Sequence, residues 1–223
     1  MKHLKTFAAL CCVVAAFAAC EPQNGPANGQ NGNNGTANGH EYVDLGLPSG
    51  LNWATCNVGA TKPEEYGNYY AWGETQPRDD DDGTYTYGDY GIVDNKTVLD
   101  PEDDAAAVNW GGAWRMPTKE EWQELIHNCT WTSVENYKET GVNGCEVKGW
   151  NGNSIFLPSA GYRSDGYLLF EGYYGHYWSS SLDTKDMWGT QYYDAWGGVF
   201  DPLGVGMKHA DRIRCWSVRP VCE

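Results

Sequence analysis

The sequence predicts an α+β domain of short antiparallel strands, two short helices and long irregular loops. Three observations carry that reading. Short apolar stretches alternate with turn residues, as in YVDLGLPSGLNWATCNVGA (Tyr42 to Ala60), the pattern of paired strands. Two segments further on carry helix-start signals. Glycine accounts for 28 of the 223 residues, and its spacing breaks every apolar run before it becomes long.

Taken in order, EYGNYYAWGE (Glu65 to Glu74) is a further aromatic strand. DPEDDAAAVNW (Asp100 to Trp110) reads as a short helix. Asp100 is its expected N-cap, Pro101 fits the first turn, and Glu102 and Asp103 favour the positive end of the dipole. The strongest local signal is WRMPTKEEWQELIHNCT (Trp114 to Thr130). Thr118 and Glu121 have capping-box spacing, and Trp122, Leu125, Ile126 and Cys129 then share one helical face. GVNGCEVKG and NSIFLPSAGYR are strand material split by glycine turns, and YYGHYWSSS and SVRPV are later short strands.

The N-terminus reads as an export signal. Lys2 and Lys5 precede an apolar run from Phe7 to Phe17, too short to span a bilayer. Ala18-Ala19-Cys20 then resembles a bacterial lipobox, in which the cysteine is lipidated. Residues 1–19 are therefore expected to be a lipoprotein signal peptide and Cys20 the lipid-bearing residue. Several acyl chains on one cysteine hold a protein firmly, at roughly 0.8 kcal/mol per buried methylene. Residues 20–40 are mostly Asn and Gly and read as a flexible linker, spanning roughly 25 Å as a random coil. Residues 41–223 form the domain. The expected location is the cell envelope, as an outer-membrane lipoprotein whose contact with the membrane is through the lipid anchor only.

The net charge is −15, and about −17 once residues 1–19, with two lysines and no acid, are removed. Nucleic acid and anionic membrane are therefore not expected as partners. The run Asp79 to Asp82 lacks the spaced ligands of a calcium loop and reads as a solvated acidic loop. Five cysteines follow Cys20, namely Cys56, Cys129, Cys145, Cys215 and Cys222. An odd count leaves at least one thiol without an intrachain partner, and no spacing suggests zinc.

No catalytic constellation is legible, so the chain is expected not to be an enzyme and to use no cofactor or metal. A Gly-x-Ser-x-Gly elbow and a phosphate loop are both missing from the sequence. His127, His176 and His209 read as polar surface or packing residues. The serines of YWSSS read as groups that cap backbone near a turn.

Together YVDLGLPSGLNWATCNVGA, YYAWGE, AAAVNWGGAWRMPTKEEWQELI, IFLPSAGYR, YWSSS and the terminal SVRPV resemble the Fibrobacter succinogenes major paralogous domain family. That family occurs in bacterial lipoproteins and is similar to the C-type-lectin-like fold of formylglycine-generating enzymes. The resemblance covers Glu41 to Glu223. It implies that the N- and C-terminal strands pair and that irregular loops are displayed on a small sheet. Some members resemble targets of diversity-generating retroelements, whose variable residues fall between YWSSS and SVRPV. Cys145 and Cys215 depart from the family pattern. Whether they bridge one another is left open by the spacing, and the redox-cysteine motif of the formylglycine-generating enzymes is not recognisable.

The stretch from Asp186 to Trp216 is therefore the expected binding surface, for an extracellular protein or glycan. On an extended reading, Trp188, Thr190, Tyr192, Asp194 and Trp196 share one face, with Tyr193 and Ala195 turned to the core. Ile213, Arg214 and Trp216 join the patch, with Val218 and Val221 anchoring the strand. Asp201, His209 and Asp211 are its further polar members. Aromatic and Arg side chains suit an interface because they bury much area at modest entropic cost. The competing readings are aromatics that simply fill the core, a carbohydrate-binding module that stacks Trp and Tyr on sugar rings, an oxidase using Cys215 or Cys222, and an envelope protein with no dedicated ligand.

Overall fold

The computed structural model describes residues 34–78, 96–184 and 194–223. Within them the chain is mostly β, with two α-helices and several small sheets, an α+β arrangement. None of the described helices is long and apolar enough to cross a membrane.

The first hairpin joins β1 (Gly35–Ala37) to β2 (His40–Asp44). Its turn is Asn38-Gly39, with φ of 43° and 83°, the pair of positive angles that a tight hairpin turn needs. Residues 35–40, which the sequence assigned to the linker, lie in this hairpin. The sequence signal was weak because the flanking strands are short and polar. β2 pairs with β3 (Asn52–Ala54), and β3 with the terminal β14 (Val221–Cys222), Val221 opposite Trp53. The two ends of the domain are therefore neighbours in one sheet.

α1 (Ala105–Trp110) starts later than expected. Its cap is Asp104, not Asp100: Asp104 Oδ1 accepts from the amides of Ala106 and Ala107 at 2.8 and 3.0 Å, and its other oxygen from Met116 N at 2.8 Å. Asp100 to Asp103 forms a preceding turn. Asp104 wins because one buried carboxylate serves three backbone donors that would otherwise lack partners. In α2 (Lys119–Asn128) both halves of the Thr118–Glu121 capping box are made. Trp122 and Leu125 are buried, while Ile126 and Cys129 lie half-buried at the edge of that face.

A three-stranded antiparallel sheet, β5 (Thr130–Val134), β6 (Gly144–Lys148) and β7 (Ser154–Pro158), follows. The hairpin β8 (Tyr162–Ser164) and β9 (Tyr167–Leu169) comes next. The central sheet has the order β12-β11-β10-β13-β4. It comprises β12 (Gly204–Asp211), β11 (Asp194–Asp201), β10 (Gly175–Leu182), β13 (Trp216–Ser217) and β4 (Tyr69–Tyr70). Only β10 and β13 run parallel among these pairs.

Two large apolar clusters flank this sheet. One gathers Tyr70, Trp72, Trp110, Trp114, Trp178 and Trp216, and the other Leu45, Trp53, Trp122, Leu125, Leu157 and Tyr177. Between them Arg219 is fully buried. Its guanidinium donates to Asn57 Oδ1 at 2.8 Å and to the carbonyls of Ala54, Thr55 and Phe156 at 3.0, 2.8 and 3.0 Å. One side chain thus ties the terminal SVRPV segment to the end of β3 and to β7. The serines of β10 also serve backbone groups, but from within a strand rather than beside a turn. Ser179 Oγ donates to Trp196 O, and Ser181 Oγ accepts from Lys119 N at the start of α2. Cys145 and Cys215 pack in different clusters and form no disulfide with one another.

Candidate ligand-binding groove

Strand alternation decides which residues can share a surface. In β11 and β12, Trp196 lies opposite His209, and Gly197 opposite Lys208. Trp196 and His209 therefore rise from one face of the sheet, and Lys208 from the other. The expected single patch is divided by the sheet into two sites.

The first site lies beside the start of α2. His209 Nδ1 is 2.7 Å from Asp194 Oδ2 and 3.4 Å from Asp183 Oδ2. Its ring sits 5.3 Å from that of Trp196, and the Lys119 ammonium lies 3.4 Å above the same indole. Among the described residues, no group of three His, Cys, Asp or Glu side chains could hold a metal ion.

The second site is a groove of about 240 Å³ on the opposite face. The β8–β9 hairpin makes one wall. Its Asp165-Gly166 turn has positive φ at both positions, the geometry of a two-residue hairpin loop. Backbone pairs fix the hairpin: Arg163 and Cys215 exchange hydrogen bonds at 2.8 and 3.0 Å, and Gly161 donates to Tyr174 O at 2.7 Å. At Gly161 a Cβ would lie 2.2 Å from Leu169 O, so only glycine lets the hairpin close here.

Immediately after β9, Phe170 takes a left-handed conformation, φ 59°, uncommon for a bulky side chain. Its carbonyl accepts from the amides of both Tyr173 and Tyr174 at 3.1 Å. This tight turn holds the Phe170 ring out, 54% exposed, in edge contact with Tyr174 at 5.3 Å. Tyr162 lies 6.0 Å from Phe170 and 4.8 Å from His176. His176 in turn meets Trp216 edge-on at 4.9 Å. A continuous aromatic lining results. Backbone strain at an exposed aromatic beside a groove is the kind of outlier that points to a functional site.

Cations complete the groove. The Arg214 guanidinium lies 5.2 Å from the Tyr162 ring centroid and donates to the Tyr162 hydroxyl at 3.3 Å. Lys208 enters from β12. His176 is held neutral: burial, and after it the charges of Lys208 and Arg214, pull its pKa from 6.5 down to about 4. Among the described residues, its Nδ1 and the Nε1 of Trp216 are buried without a hydrogen-bond partner.

The residues expected from the sequence are distributed as follows. Arg214 and Trp216 line the groove, which His209 only borders at the strand edge while its ring packs in the site beside α2. Trp216 corrects the expectation of an exposed contact: it is 2% exposed and belongs to the core, presenting little to solvent. Gly197 makes this possible, since a Cβ there would fall 2.5 Å from the Trp216 ring. Asp194 and Trp196 belong to the site beside α2, half-buried. Asp201 instead caps the β11–β12 turn, accepting from Leu203 N and Gly204 N at 2.7 and 3.0 Å. Asp211 likewise accepts from Ile213 N, and burial raises its pKa. Ile213 is 38% exposed. Trp188, Tyr192, Cys20 and the Asp79 to Asp82 run lie outside the described residues.

No family model, curated protein or solved structure matches this chain. The groove must therefore be read from its own chemistry. Tyr162, Phe170, Tyr174, His176 and Lys208 were not among the residues expected to bind. For Phe170, Tyr174 and His176 the signal in the sequence is the aromatic density of YLLFEGYYGHYW (Tyr167 to Trp178), which periodicity alone assigns to strands; Tyr162 and Lys208 lie outside that stretch.

Proposed function

We propose that this chain is a surface-tethered binding protein that holds an extracellular protein or glycan. In this reading Cys20 carries the lipid, residues 21–33 act as a spacer, and the domain is C-type-lectin-like, of the Fibrobacter succinogenes major paralogous kind. The pairing of β3 with β14 and the long loops around a small sheet support that fold. The retroelement reading concerns the stretch between YWSSS and SVRPV, and the Lys208 and Arg214 edge of the groove lies within it.

The observation that carries the proposal is the aromatic groove with a strained, outward-held Phe170 and two cations. Such a lining suits holding a ligand more than transforming one. An oxidase built on Cys222 is disfavoured by the surroundings of that thiol: burial raises its pKa, which keeps it protonated and weakly nucleophilic.

The test is a screen of the mature protein against arrayed glycans and arrayed envelope and host proteins, run beside Phe170→Ala. The reading predicts at least one ligand that the wild type retains and Phe170→Ala loses, with the melting temperature kept. Ligands held equally by both proteins would move the binding site elsewhere.

A further inference from the structure

Lys208 and Arg214 stand out in a chain of net charge −15. Arg78 pairs with Glu74 and Arg115 with Glu121, both at 2.6 Å. Among the described residues, neither Lys208 nor Arg214 has a carboxylate within ion-pair distance. Both face the same groove. Two cations in one concavity whose lining carries no carboxylate give charge complementarity toward an anion.

Size and lining narrow the choice further. At about 240 Å³ the groove is smaller than the usual range for drug-sized ligands, roughly 300–1,000 Å³. It admits one ring rather than a folded peptide surface. Aromatic faces stack on the C–H faces of a sugar and leave its hydroxyls free.

Resting on the binding reading above, we infer that the groove holds an acidic monosaccharide unit, a uronate or sialate at the end of a glycan. Its ring stacks on Phe170 and Tyr174, and its carboxylate is held by Lys208 and Arg214. Charge-assisted hydrogen bonds from a guanidinium to a carboxylate are about twice as strong as neutral ones. The contribution falls with added salt because the groove is open to solvent.

The experiment titrates the mature protein with the methyl glycosides of glucuronate and N-acetylneuraminate, with methyl glucoside, and with acetate, by calorimetry and ligand-detected NMR. At least one acidic glycoside is expected to bind about ten-fold or more tightly than methyl glucoside, a difference of about 1.4 kcal/mol, and acetate not to bind. Lys208→Gln and Arg214→Gln should each weaken that acid about five-fold or more, while Phe170→Ala abolishes it. Lys208 is exposed on a strand, so its variant keeps the test valid if the Arg214 variant does not fold.

Equal binding of methyl glucoside, or acid binding unchanged in the Lys208 variant, overturns the inference. So does the failure of both acidic glycosides to bind. A Phe170-dependent protein or neutral-glycan ligand from the arrays would in that case leave the broader reading standing. If the arrays yield no ligand either, both readings fail.

Discussion

The indole of Trp216 lies flat on that of Trp178, with ring centroids 4.1 Å apart and planes 14° apart. Trp178 Nε1 donates to Tyr70 O at 2.9 Å, fixing the lower ring to β4. Trp216 is thus the top layer of the core and the floor of the groove at once. Any ligand-induced strain there is resisted by packing rather than by a flexible loop.

Trp216→Ala should accordingly be a stability variant first. Removing a fully buried Trp leaves a cavity and costs about 3–5 kcal/mol. Urea unfolding checks this, with a large fall in midpoint expected. A wild-type midpoint would mean that Trp216 is not packed as described.

Phe170 behaves oppositely. Its left-handed backbone costs a bulky residue about 1–2 kcal/mol, which glycine avoids. Glycine in turn carries an entropic cost of about 0.5–1 kcal/mol. Phe170→Gly should therefore leave stability unchanged or raise it by up to about 1 kcal/mol, while ligand retention is lost. Calorimetric melting read beside a binding assay separates the two effects.

His176 makes stability depend on pH. Its folded pKa, about 4, lies below the unfolded value of 6.5. Between those values the unfolded chain binds a proton that the folded protein refuses, so stability falls as pH drops from 6.5 towards 4. The loss attributable to His176 is roughly 3 kcal/mol at its fullest. Urea midpoints at pH 7, 5.5 and 4 should decline more steeply in the wild type than in His176→Gln; parallel declines would count against a buried neutral imidazole.

Arg219 is the strongest single polar tie. Lysine at this position keeps the charge but cannot reproduce the fork that reaches Asn57, Ala54, Thr55 and Phe156 together. Arg219→Lys should cost about 2–4 kcal/mol, as expected when hydrogen bonds to a buried charge are lost. Asn57→Ala, which removes one acceptor, should cost less. A melting-temperature series across the two variants checks the order.

Much of the local structure was legible in the sequence. The Thr118–Glu121 box and the burial of Trp122 and Leu125 follow from spacing within one helix. Ala195 turns inward as alternation predicts. Two readings failed for a common reason. Asp100 and Asp104 are equally good caps locally, and the choice fell to Asp104 because Met116 N, twelve residues on, also requires an acceptor. Trp216 looked like a contact residue because charges surround it in sequence, yet Gly197 on another strand opens the space that buries it.

By itself, the sequence determined the element types, the capping of the second helix, and the concentration of aromatic and charged side chains near the end of the chain. Periodicity and capping act over a few residues, and composition needs no partner. Tertiary structure alone decided which of those side chains meet. Strand register sent His209 and Lys208 to opposite faces of one sheet, and a hairpin some forty residues earlier supplied Phe170 and Tyr162 to the groove. Such neighbours are set by pairing between distant segments, and a pairing leaves no mark in either segment read alone.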